Sequence, residues 1–220
     1  MPVNDRPDAD FVLSEGFHTI TFAARAYGYH IDFFTMFKQG ETPAVDAADT
    51  ALTQVPTRFT VASTIAAVSD DWETSSGGNS SGLDFGRDGT KANTVGLRFT
   101  NLAVEEDAAI ESAYFIFTAS KTTKTAADFE IEIENSISMS TYSNADGPTQ
   151  RAYFGDSIDW KPEAWVTGET YKSADFSSEL ESMLGGRELQ ATDALAFRIY
   201  GSGERDAFAG TAELVIVYDV

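Results

Sequence analysis

Asp70, Asp71 and Glu73 set three carboxylates within four residues. Like charges that close repel unless water or a cation neutralises them, and Ca2+ takes about six to eight oxygen ligands. The triplet is therefore a candidate structural Ca2+ site, with Asp84 or Asp175 as further ligands; a solvated turn is the plainer alternative. Trp160 and Trp165 flank Lys161-Pro162-Glu163-Ala164. Exposed indoles there would stack on a sugar, whereas buried ones would anchor the core or a loop. Packing is the favoured reading and glycan binding the alternative. Seven of the residues from Phe17 to Phe37 are Phe or Tyr. That density suits a core or an interface, so Phe17, Phe22, Tyr27, Tyr29, Phe33, Phe34 and Phe37 are the candidate docking and oligomer contacts.

Motifs for covalent or phosphoryl chemistry fail on context. Gly78-Asn79-Ser80-Ser81-Gly82 matches G-x-S-x-G, the turn that presents a hydrolase nucleophile. That turn needs a strand before it, a helix after it and a histidine later in the chain. His18 and His30 both precede it, and its neighbours are Gly, Ser and Asn, so it reads as a loop. Asn79-Ser80-Ser81 is also a glycosylation sequon, with no export signal read alongside it. Asp84-Phe85-Gly86 matches the kinase metal-binding triplet without its phosphate loop or paired lysine. Asp84 to Gly89 is half of an EF-hand loop, with Gly at its third position and no closing Glu. Two histidines make no metal site alone. Carboxylate pairs in a chain with 35 acids carry no spacing information. No catalytic residue is expected.

Charge narrows the partners. The 35 acidic residues against 15 basic ones give a net charge of −20. Phosphate-backbone affinity depends on clustered Lys and Arg, so nucleic acid is not an expected partner. The absence of cysteine removes disulfides and thiol chemistry. No run approaches the roughly 18 apolar residues of a membrane span, and Met1 to Asp10 has no basic and apolar leader. A hydrophobic fraction of 42% supports a packed core. The acidity reads as solubility through self-repulsion, or as tolerance of salty water where screening shortens that repulsion.

The elements that must position these residues divide near residue 58. Residues 1–58 read as an N-terminal arm and extension, with strand-like aromatic stretches in 17–38 and a linker bracketed by Pro43 and Pro56. Residues 59–220 read as a β-sandwich domain. Short apolar runs at 58–67, 94–102, 113–119, 128–134, 137–142, 195–200 and 212–218 are separated by Gly, Asn, Asp and Ser clusters. Phe129-Glu130-Ile131-Glu132-Ile133-Glu134 alternates apolar and acidic faces. Leu214 to Tyr218 is apolar throughout, which predicts a central strand covered on both sides. One helix is expected over 174–186, with Phe176, Leu180, Met183 and Leu184 on one face and Gly185-Gly186 as its stop. The predicted fold is all-β: a jelly-roll-like antiparallel β-sandwich with one short helix plugging an end, plus the aromatic-rich N-terminal extension.

Residues 69–220 resemble the DNRLRE-type domain, a β-sandwich related to carbohydrate-binding modules and found in bacterial extracellular and cell-surface proteins. The resemblance rests on Ser69-Asp70-Asp71-Trp72-Glu73 followed by Gly82-Leu83-Asp84-Phe85-Gly86, and on Thr94-Val95-Gly96-Leu97-Arg98-Phe99-Thr100-Asn101-Leu102. It continues through the strand around Ala113 to Thr118, the paired Trp160 and Trp165, the helix start at Asp175, and the runs Leu195 to Arg205 and Glu213 to Tyr218. The stretch 205–211 is shorter than the family's loop before the last strand. An extracellular-type sandwich read without an export signal, an aromatic segment ahead of it and an acidic cysteine-free surface favour a virion protein. The expectation is a non-enzymatic structural or attachment protein of a tailed phage or archaeal virus: a capsid decoration, head-surface or tail component. It would form a homo-oligomer such as a trimer and dock on a major capsid or other virion protein. The resemblance itself implies the alternative, a carbohydrate-binding or adhesion module of a bacterial cell surface with a glycan as partner. Structural Ca2+ is the one cofactor considered.

Overall fold

The computed structural model describes residues 57–78 and 82–220. The N-terminal extension with its aromatic residues 17–38 lies outside the described residues, as do Asn79, Ser80 and Ser81. The described chain runs β1 (Arg58–Thr64), β2 (Asp71–Glu73), β3 (Gly82–Asp88), β4 (Lys91–Asn93), β5 (Val95–Thr100), β6 (Ala109–Thr118), β7 (Asp128–Glu134) and β8 (Tyr153–Trp160). It continues through β9 (Thr170–Lys172), α1 (Ser177–Leu184), β10 (Ala194–Ser202), β11 (Arg205–Phe208) and β12 (Glu213–Asp219). The strands form ladders in the orders β1-β12-β6-β9, β2-β5-β10-β7-β8 and β11-β3-β4. β11 and β12 are separated only by the 3-10 turn Ala209–Thr211. Both lie beside the β6 chain: β12 through its ladder, and β11 through the Ala119–Ala207 bridge and the Ser120 N–H, which donates to the Asp206 carbonyl at 2.8 Å. The three-stranded sheet thus extends the four-stranded one, and the fold is the expected all-β sandwich.

Period-two alternation sorts the side chains. Phe129, Ile131 and Ile133 of β7 are buried while Glu130 and Glu132 face outward. Val95, Leu97 and Phe99 of β5 and Leu195, Phe197 and Ile199 of β10 join them on the inner face. Phe115 and Phe117 of β6 and Leu214 and Ile216 of β12 oppose them. The layers interlock through rings: Phe99 stacks on Phe115 with centroids 5.6 Å apart, and Phe197 meets Phe115 edge-on at 5.0 Å. Each such buried side chain contributes about 1.5–3 kcal/mol of transfer free energy. β12 is an internal strand with Leu214, Val215 and Ile216 buried, but Val217 is only half-covered. Its outer face is therefore less enclosed than the unbroken apolar run predicts.

The helix forms where its pattern demands it. Leu180, Met183 and Leu184 are buried together with the preceding Phe176. α1 packs on β6 of one sheet and on β7 and β8 of the other, closing that end. Asp175 accepts the Ser177 N–H at 2.9 Å, and Gly185 ends the helix in the left-handed region at φ 58°. Arg187 donates to the carbonyls of Met183 and Leu184, satisfying the last turn.

The run 137–142 is not a strand. It crosses the outer face of the five-stranded sheet, joined to it by a Ser138–Ala194 bridge and by side-chain bonds at Met139 and Tyr142. Its Tyr142 lies against Gly96, where an added Cβ would come 2.8 Å from the ring. The close approach needs a glycine at that point of β5. The sequence in turn did not mark β2, β3, β4, β8, β9 or β11 as separate strands. They are short, polar or glycine-broken, as at Gly155 of β8 with φ 63°.

Candidate functional site

The acidic triplet does not converge on a cation. Asp70 closes the 3-10 turn Val68–Asp70 and pairs with Arg98, Oδ1 to Nη1, at 2.5 Å. Alternation along β2 turns Trp72 outward against Tyr142, Met139 and Ala196. Asp71 and Glu73 consequently point the other way, opposite Leu97 and Val95 of the core. Glu73 accepts the Asp84 N–H at 2.5 Å, and Asp71 Oδ1 has no hydrogen-bond partner. Among the described residues, no group of three His, Asp or Glu side chains is placed to hold a metal ion. The expected calcium site at Asp70, Asp71 and Glu73 is thus corrected: Asp70 is taken by Arg98 and Glu73 by the Asp84 N–H, so the three carboxylates do not converge on one point. Asp175, offered as a further ligand, is occupied at the start of α1.

What the acids make instead is a half-buried cluster. Asp84 of β3 stands directly across from Asp206 of β11. Lys121 bridges them, with Nζ 2.5 Å from Asp206 Oδ1 and 3.8 Å from Asp84 Oδ1. Burial, with the charges of Glu73 and Asp70 adding to it, pushes the Asp71 carboxyl up to about 7. Burial likewise pushes Asp84 up to about 7, helped by the adjoining Asp206 carboxyl and by the charge of Glu73.

Trp160 and Trp165 are core residues, at 3% and 0% exposure. Their centroids lie 6.2 Å apart in a cluster with Phe85, Phe117, Phe129 and Tyr171. Neither presents the free ring face that an open sugar-stacking platform needs, because each is covered by other rings. They do form the floor of a cavity of about 330 Å³, whose rim carries Lys161, Glu163, Tyr171 and Lys172. Trp165 stacks on Tyr171 at 5.1 Å, and its Nε1–H, buried at this floor, has no acceptor.

The cavity loop is held from below by Arg205. This guanidinium is 1% exposed and donates to the carbonyls of Pro162, Glu163, Thr125 and Glu204 at 2.6–3.0 Å. No carboxylate is among these acceptors, and burial pushes the guanidinium below its ordinary value.

The outer face of the five-stranded sheet carries two further polar groups. Arg198 lies 3.9 Å from the Tyr153 ring centre and 5.0 Å from that of Tyr200, and pairs with Glu132. The Tyr200 hydroxyl donates to Glu130 at 2.6 Å, which holds that carboxyl below its usual range. Nearby, buried Arg151 binds both oxygens of Glu134 at 3.2 Å and reaches Asp146 at 3.0 Å. Tyr142 adds contacts to the Leu97 and Phe197 carbonyls, pinning the 135–152 loop to the sheet.

None of these arginine or lysine assemblies was read from the sequence. Their members lie far apart in the chain, Lys121 and Asp206 by 85 residues and Asp84 and Asp206 by more, and no local spacing marks them. The aromatic contacts Phe17, Phe22, Tyr27, Tyr29, Phe33, Phe34 and Phe37 lie outside the described residues. The class that fold and surfaces define is an antiparallel β-sandwich with a small aromatic-floored cavity and a tyrosine–arginine–glutamate face. No protein-family model and no curated protein matches the chain.

Proposed function

We propose that the chain is a non-enzymatic structural or attachment protein of a virus particle, with the sandwich displayed and the N-terminal segment used for docking and oligomer formation. One observation carries the reading. Arg98 and Arg205 bind carbonyls that fix loops to the sheets, and Arg151 ties the 135–152 loop to Glu134 of β7. Polar groups inside this fold are thus used for rigidity, which suits a displayed scaffold. The acidic net charge of −20 keeps such copies soluble and apart except where a specific contact overrides repulsion. The DNRLRE-type resemblance is compatible with display. Light scattering of the purified full chain is expected to give a closed oligomer such as a trimer. A chain of residues 57–220 is expected to keep its β spectrum and melting transition but to run as a monomer. Assembly by the shortened chain would end the docking role of the N-terminal segment.

The cavity favours a second reading, a glycan-binding or adhesion module. Its volume of about 330 Å³ suits one or two sugar rings, and Tyr171 and Lys172 on its rim supply polar contacts. Titration with a panel of neutral and acidic oligosaccharides is expected to show binding that Tyr171→Ala weakens by about tenfold, or about 1.4 kcal/mol. A panel without a single binder would remove this reading.

A further inference from the structure

We propose that Lys121 and Asp206 condense to an intramolecular isopeptide bond, with Asp84 carrying the protons. This inference is independent of which display role the chain has. The three groups converge from different parts of the sandwich: Lys121 just beyond β6, Asp206 on β11 and Asp84 on β3. Nζ sits 2.5 Å from Asp206 Oδ1, and the acid across the ladder is 3.8 Å from the same nitrogen. The carboxyl to be attacked is 1% exposed, and its other oxygen, Oδ2, has no hydrogen-bond partner. Its strand neighbour Ala207 and the residues flanking Asp84, Leu83 and Phe85, are fully buried. The pair rests as ammonium and carboxylate, since the contact with Asp206 holds Lys121 above its ordinary value, so condensation must begin with proton transfer inside the pair. The Lys121 side chain itself is 60% exposed, which leaves a route for the released water.

The chemistry balances within these groups. The Lys121 ammonium passes one proton to the Asp206 carboxylate, leaving an amine and an acid. The Nζ lone pair attacks Asp206 Cγ, forming the Nζ–Cγ bond. Asp84 takes a proton from the nitrogen and returns one to the departing oxygen, the Cγ–O bond breaks, and water leaves. Asp84 ends as it began, and no oxidant or reductant is involved. Burial holds the Asp84 carboxyl near 7, so that it can both give and accept a proton around neutrality. Glu73 and Glu204 are the other charged groups near this site, one beside Asp84 and one beside Lys121. The Lys161–Asp128 pair makes a useful contrast: at 3.5 Å, with both side chains more than half exposed, it has no buried acceptor. In a chain without cysteine, this bond would join positions 85 residues apart and constrain the unfolded chain as a disulfide does.

The test is the intact mass of the folded full-length protein, measured after denaturation. It is expected to be lighter than the sequence mass by one water. Trypsin should then fail to cut after Lys121, and a branched peptide should join the Lys121 and Asp206 segments. Lys121→Arg keeps the charge but cannot condense, and Asp84→Asn keeps a polar neighbour but cannot relay protons. Both are expected to show the sequence mass with an unchanged circular dichroism spectrum. A folded wild-type chain with the full sequence mass overturns the proposal. So does a water loss that maps elsewhere, such as a succinimide at Asp88-Gly89, or that persists in Lys121→Arg.

Discussion

Arg205→Met is expected to destabilise the sandwich by about 3–5 kcal/mol, lowering Tm by roughly 10 °C. Methionine matches much of the arginine stem, so the substitution removes donors while leaving little void. The carbonyls of Pro162, Glu163, Thr125 and Glu204 then lose their donor inside the protein. A carbonyl left without a donor and away from water costs about 1–3 kcal/mol; Thr125 and Glu163 are exposed residues, so water meets part of that loss. Relief from desolvating the guanidinium, the effect that pushes Arg205 below its ordinary value, offsets part of this sum. Urea unfolding gives the size of the loss. Hydrogen exchange gives its place: the Thr123 and Trp165 amides, which pair with each other at 2.9–3.0 Å, should exchange faster than those of β10. A change within about 1 kcal/mol would mean that water or neighbouring amides satisfy the four carbonyls equally well.

Asp71→Asn should act in the opposite direction and raise stability at pH 8 by about 2–4 kcal/mol. The wild-type carboxyl is 2% exposed, faces the charges of Glu73 and Asp70, and is pushed up to about 7 from its ordinary value of 3.8. The folded state therefore holds its proton more tightly than the unfolded chain does. Folding is unpenalised by this group below the unfolded value, loses stability as pH rises between the two values, and carries the whole penalty above about 7. Asp84 adds a parallel effect over the same window, with Glu73 and Asp206 as its acidic neighbours and Lys121 opposing them. The wild-type protein should gain stability as pH falls from 8 to 5. Asparagine, neutral throughout, should flatten part of that profile and differ least from wild type at the acidic end. A wild-type Tm that is level from pH 5 to 8, or an Asp71→Asn variant less stable at pH 8, would contradict the assigned burial penalty.

Sequence pattern carried the layers of this fold but not its joints. The run 128–134 alternates in residue type and is β7 residue for residue, because one face meets the core and the other carries acids, the last of which, Glu134, is covered by Arg151. The helix was equally legible, since its apolar spacing, Asp175 and the Gly185-Gly186 stop agree. Where signals conflicted, reading failed. Ile137 to Tyr142 has strand-like spacing, yet its Ser and Thr residues and its tyrosine lie over a sheet already complete. β11 was taken for loop because Arg205 and Asp206 interrupt its apolar pattern, although both side chains are buried by partners distant in sequence. The acidic triplet was visible, but β2 pairing directs its members to different partners. The cavity was half-visible: Trp160 and Trp165 were marked, whereas Tyr171 and Lys172 reach it only through the β6–β9 pairing.

The arrangement of β1 and β12 has a mechanical consequence. They run antiparallel, with Arg58 beside Asp219 and Thr64 beside Glu213. Tension drawing Arg58 away from Asp219 would load that ladder one rung at a time, as a zipper opens, instead of sharing force among all rungs. β1 is the outermost strand, with Val61 half-covered and Phe59 38% exposed and stacked on Tyr218. It would peel away under a small force while the layers behind it kept their packing. The sandwich thus has a yielding first strand ahead of a stiff body, so that chain length is released before the core is put at risk.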